Sequence, residues 1–145
     1  MSNADSAQFR NTMTYFYSRS DSAFSVVNQL NPAYAGSFIW RGRIHAILDS
    51  EATKSIAKEM YEKALAILEK TDPSKNKKSI VECYKYLGSY YYLGYERFYK
   101  TDRKLASQLR SKSLECFAKI IILDPEDEQA KEVTKKLELP VTNPN

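Results

Sequence analysis

The sequence predicts an all-α protein, about seven helices stacked side by side, on three observations. Strong helix breakers are scarce: 4 glycines and 5 prolines in 145 residues leave long uninterrupted stretches rich in Lys, Glu, Ala and Leu. Apolar residues recur three and four positions apart in segment after segment, the period of one helix face. Three segments, 22–32, 58–73 and 114–125, also resemble one another. In each an aromatic (Phe24, Tyr61, Phe117) is followed three residues on by Val27, Ala64 or Ile120, and each closes on Asn-Pro or Asp-Pro.

Taken in order, 8–17 reads as a short first helix with Phe9, Met13 and Phe16 on one face. Ser20 and Asp21 then offer an N-cap for a second helix carrying Phe24, Val27 and Leu30, which Asn31-Pro32 stops. A third helix is expected over 35–48, with Phe38, Ile39, Gly42, His45 and Ala46 inward. After a turn at Asp49-Ser50, a fourth over 51–69 carries Ile56, Met60, Tyr61, Ala64, Ile67 and Leu68 as its apolar stripe. Thr71 to Ser74 ends it, and 75–78 is a charged connection.

The fifth helix, 80–99, holds seven of the 11 tyrosines. Tyr84, Leu87, Gly88 and Tyr91 share one face of it, with Gly88 as a notch that admits a neighbouring helix. From Tyr92 onward its residues have no packing duty that the sequence requires. Asp102 caps a sixth helix with Leu105, Leu109, Phe117 and Ile120 inward. Asp124-Pro125 ends it and opens a last, polar helix with Glu126, Asp127 and Glu128 at its start and Ala130, Val133 and Leu137 along its apolar side.

These residues resemble the tetratricopeptide repeat (TPR) family, whose unit is a helix A with a large–small–aromatic signature and a helix B closed by proline. Tyr84, Leu87, Gly88 and Tyr91 match helix A, and Ser113, Phe117, Ile120 and Pro125 match helix B. Phe38 and Gly42, with Ala57, Tyr61 and Ala64, match an earlier unit. There Arg41 stands where a large apolar residue is usual and His45 where an aromatic is. Pro32 and Pro125 lie 93 residues apart, whereas two regular units take about 68. Most of the excess falls after Ala64, and the last hairpin should have both helices lengthened by about two turns. The resemblance implies a TPR-like α-solenoid, a right-handed stack of antiparallel hairpins. Its units are 5–32, 35–72 and 77–125, with 126–138 as a capping helix. Residues 1–4 read as an expression scar and 139–145 as a loose tail.

Chemistry is sparse. His45 is the one histidine and sits at a packing position, the two cysteines are too few for a disulfide framework or zinc site, and no glycine-rich phosphate loop appears. Neither catalysis nor a cofactor or metal is expected, and no apolar run approaches a membrane span. Cys83 and Cys116 read as two buried thiols, with contact across a helix pair as the other reading.

What remains is a binding surface. In the TPR family the A helices line a concave groove that takes a peptide or protein. Carried over position by position, the groove residues are Ile39, Arg43, Lys85, Ser89 and Tyr92. The Lys/Asn pair of chaperone-binding members is not reproduced, since Ser89 and Ile39 occupy two of its places. A second surface at the extended hairpin, with Tyr95, Phe98, Tyr99, Arg103 and Arg110, suits self-association into a homo-oligomer. The basic run over 97–112 suits an acidic partner, although a net charge of only +4 argues for a solvated face and against nucleic acid.

Overall fold

The computed structural model describes residues 3–138. It contains six helices: α1 (Asn3–Leu30), α2 (Ala35–Leu48), α3 (Ile56–Thr71), α4 (Lys77–Phe98), α5 (Arg103–Leu123) and α6 (Glu128–Glu138). No strand occurs among the described residues. The tail expected over 139–145 lies outside them, as do residues 1 and 2 of the expected scar. No described helix is long and apolar enough to cross a membrane. The chain divides into two compact units, with the division inside α3 between Ile67 and Leu68.

In the first unit α1 packs on α2. Six helices replace the expected seven because α1 is one helix of 28 residues, where two were expected with a cap at Ser20-Asp21. Neither glycine nor proline interrupts it. The Ser22 hydroxyl donates to the Ser18 carbonyl at 3.0 Å, which keeps that polar side chain inside the helix. Asp21 does not cap; its carboxylate takes a bidentate bond from Arg41 of α2 at 2.8 and 3.3 Å. Pro32 ends α1, and the Tyr34 N–H closes the turn on the Asn31 carbonyl at 3.1 Å.

The α1–α2 seam is polar where a helical repeat usually buries apolar side chains. His45 Nε2 lies 3.2 Å from the same Asp21 oxygen that Arg41 engages. The Asn28 amide donates to the Ser37 hydroxyl at 2.5 Å, and that hydroxyl donates to the Tyr34 carbonyl. Both Asn28 and Ser37 are buried, so these bonds satisfy groups that water cannot reach. Arg41, unexpected at a large apolar position, thus belongs to a satisfied network.

α3 starts at Ile56, five residues later than expected. Asp49 holds the preceding loop by accepting from the Thr53 hydroxyl and the Lys54 N–H, both at 2.7 Å. Ala52 has φ 52°, a left-handed conformation that no helix interior accepts. Ala57, Met60, Tyr61, Ala64 and Leu68 of α3 are buried.

The second unit is built on the α4–α5 hairpin. Asp102 caps α5 as expected, accepting from the Leu105 N–H at 2.9 Å. Gly88 faces Phe117, and Gly94, further along α4, faces Leu109, earlier on α5, so the helices run antiparallel. At 22 and 21 residues they are longer than α2 and α3, at 14 and 16. Contrary to the sequence expectation, packing continues past Tyr92: Gly94 is buried against Leu109. α6 completes the core, with Ala130 against Phe117 and Ile120 and with Val81, Tyr84, Ile121 and Val133 around them. Its cap is Asp127, which accepts from the Ala130 N–H at 2.9 Å; the Asp124-Pro125 pair only ends α5.

Candidate functional site

The repeat identified in the sequence has a physical counterpart in each unit. A Cβ built on Gly42 would fall 2.8 Å from the Tyr61 ring, and one on Gly88 would fall 2.8 Å from the Phe117 ring. Each glycine therefore admits the aromatic of the following helix to a distance that any side chain would forbid. Ala64 and Ile120, three residues beyond those aromatics, are both fully buried. Ala57 and Ser113, four residues before them, are buried too, and the Ser113 hydroxyl donates to the Gly88 carbonyl at 2.9 Å. One packing scheme thus serves both hairpins, with two residue sets.

The groove candidates differ in what they have left for a partner. Ile39 is buried, so it serves the core of the first unit rather than an accessible face. Arg43 is half-buried and lies over the Trp40 ring, 4.5 Å from its centroid, while Trp40 stacks nearly parallel on Phe24. Lys85 is engaged within its own unit: Nζ lies 2.5 Å from Asp127 Oδ2, with side chains 36% and 8% exposed. Burial raises the Asp127 pKa. The Lys85 hydrogen bond, the Ala130 N–H and the Lys85 charge outweigh it, and they hold the carboxyl below the usual aspartate range.

Ser89 and Tyr92 are half-buried on α4. The Tyr92 hydroxyl donates to Glu96 Oε1 at 2.7 Å, which with burial pushes its pKa up to about 12. From Tyr92 the rings continue along one side of α4, Tyr92 to Tyr95 at 6.4 Å and Tyr95 to Tyr99 at 5.8 Å between centroids. Tyr84, which the sequence places on the Gly88 face, stands at the rim of the core: its ring borders the Phe117 cluster and its hydroxyl donates to Glu69 at 2.6 Å.

The second-surface residues are likewise unequal. Tyr95, Phe98 and Tyr99 are half-buried rather than fully displayed. Arg110 is turned onto the end of α6, where Nε donates to the Leu137 carbonyl at 2.7 Å and a second guanidinium nitrogen shares that acceptor. Lys112 lies 5.4 Å from the Tyr91 ring centroid. The basic run over 97–112 is therefore partly spent inside the fold. Arg103 is exposed.

Three features lay beyond sequence reasoning: the Asp21–Arg41–His45 contact, the Lys85–Asp127 pair and the Arg110 cap on α6. Each joins residues at least 20 positions apart in the chain. Only the odd placement of Arg41 and His45 at apolar repeat positions signalled the first.

Two hairpins built on one glycine–aromatic contact define a TPR-like helical repeat. The comparison with solved structures agrees: the chain is similar to the C-terminal part of a TPR repeat-containing protein from Cytophaga hutchinsonii, with 26% identity and a TM-score of 0.59 over 81% of this chain. The chain spans about 40% of that structure's chain. No protein-family model and no curated protein matches the sequence.

Proposed function

We propose that the chain is a protein-interaction module that takes a peptide or protein partner on the exposed sides of its A helices, each within its own unit: α2 in the first and α4 in the second. The likeness to a TPR repeat-containing protein supports the class. The observation that carries the reading is the contrast among the groove candidates. Ile39 is buried and the Lys85 ammonium is engaged by Asp127, whereas Arg43, Ser89 and Tyr92 are half-buried and keep accessible surface. Arg43 is ordered by Trp40 and Tyr92 by Glu96. Pre-ordered side chains lose less entropy when a partner docks, and Arg and Tyr are the types that dominate interface energetics.

Selection from a displayed peptide library tests the proposal. The intact chain should enrich a consistent motif, and Arg43→Ala with Tyr92→Ala should abolish that enrichment while the helical circular dichroism is unchanged. Equal enrichment by the doubly substituted chain would remove these residues from the surface.

A further inference from the structure

The chain's excess of positive charge is confined to one end of the α4–α5 hairpin. Residues 95–112 hold six of the 22 basic side chains and two of the 18 acidic ones, so the remainder of the chain is balanced at 16 of each. The whole surplus of +4 therefore sits in that run. Within it Arg110 is turned onto the Leu137 carbonyl and Lys112 lies beside the Tyr91 ring. Arg97, Lys100, Arg103 and Lys104, gathered about the turn between α4 and α5, are exposed. The two acids, already counted in the surplus, are engaged by the fold: Asp102 accepts from the Leu105 N–H and Glu96 from the Tyr92 hydroxyl. Beside the cations stand Tyr95, Phe98 and Tyr99, each half-buried, with the two tyrosine rings 5.8 Å apart.

We propose that this hairpin tip seats the chain on an anionic lipid surface, with the cations among the headgroups and the aromatic rings at their level. Three observations select that occupant. The concentrated surplus calls for a polyanion. Each lysine or arginine that reaches a leaflet rich in acidic lipid strengthens attachment roughly fivefold, so four such side chains amount to a factor on the order of 10²–10³. The shape calls for a plane: the end of a two-helix hairpin is convex, so its side chains can meet a flat surface together, whereas it encloses no groove for an extended acidic segment. The aromatic side chains suit an interface, because tyrosine joins an apolar ring to a polar tip, the property that places it at the level of lipid headgroups. A second copy of the tip does not fit, since it would set cations against cations.

Flotation of the intact chain with lipid vesicles tests the seat. Vesicles of phosphatidylcholine with about one third phosphatidylserine should carry the unsubstituted chain at low salt, and vesicles of phosphatidylcholine alone should not. Raising the salt from about 0.05 to about 0.5 M should weaken attachment roughly tenfold or more. Lys100→Glu with Lys104→Glu should weaken it roughly a hundredfold or more, with the helical circular dichroism unchanged. Lys77→Glu with Lys78→Glu makes the same change of charge at exposed positions at the other end of α4 and should leave attachment within about threefold. No attachment to the anionic vesicles, equal attachment to the neutral ones, or equal losses for the two pairs of substitutions would overturn the proposal. So would a single-stranded oligonucleotide that binds the chain more tightly than the anionic vesicles do, since it would mark nucleic acid as the polyanion.

Discussion

Gly88 and Phe117 meet so closely that the glycine's missing Cβ would stand 2.8 Å from the ring, and Gly42 repeats the relationship with Tyr61. Both rings are buried and enclosed, so neither can swing away cheaply. Overpacking of this kind costs about 1–3 kcal/mol, against roughly 1 kcal/mol gained from the better helix propensity of alanine. Gly88→Ala and Gly42→Ala should therefore each destabilise the fold by about 1 kcal/mol, read as a lower urea midpoint.

Gly94 supplies the contrast. A Cβ there would lie 3.1 Å from a terminal methyl of Leu109, a flexible and half-buried side chain that can yield. Gly94→Ala should be neutral or stabilising by up to about 1 kcal/mol. A midpoint as low as that of Gly88→Ala would show that the extended part of the hairpin is packed as rigidly as the repeat.

The Asp21–Arg41 pair should be strongly non-additive. Arg41→Leu restores the apolar residue usual at its repeat position but strands a partly buried carboxylate, and should cost about 1.5–3 kcal/mol. Asp21→Ala with Arg41→Leu removes both charges and should recover most of that loss. A double-mutant cycle in denaturant measures the coupling, and additive losses would deny it.

Asp127 links the cap of α6 to Lys85 of α4, and its folded-state pKa is depressed. A depressed carboxyl contributes stability that is complete above its unfolded pKa, about 3.9. That contribution is lost as pH falls through the lower folded value. Asp127→Asn keeps a capping side chain and should flatten this acid limb. Asp127→Ala should cost about 1–2 kcal/mol at neutral pH by removing the cap as well. Denaturant titrations from neutral pH to below pH 4 check both.

Tyr92 behaves oppositely. Its pKa is raised to about 12, first by the hydrogen bond to Glu96 and then by burial. A raised phenol contributes stability that is complete below its unfolded pKa of about 10 and is lost as pH climbs towards 12. Ultraviolet titration should show Glu96→Gln shifting one phenol towards the ordinary value, and a titration curve unchanged by that substitution would contradict the contact.

Residues 35–48 were legible as a helix because Pro32 and Asp49 bracket a run of local signals, and Asp102 announced its own cap. Gly42 and Gly88 marked the close approaches because the repeat places an aromatic opposite each. The single α1 was not legible, because Ser20-Asp21 carries a capping signature that only the distant Arg41 diverts. Asp124 before Pro125 reads as the α6 cap in sequence, with Asp127 as a helix-start charge, yet Asp127 makes the cap and pairs with Lys85. That same pairing engages the Lys85 ammonium within its own unit. Repeat position alone could not foresee it, since it depends on how α6 lies against α4.

The account rests most on Arg43 and Tyr92 as the partner-facing residues of α2 and α4. The direct measurement is isothermal titration calorimetry of a library-selected peptide against the intact chain, Arg43→Ala, Tyr92→Ala and the control Ile122→Ala. Losses of at least tenfold in affinity for the first two variants, with the control unchanged, are predicted. Equal affinity across all four proteins would contradict the proposed surface.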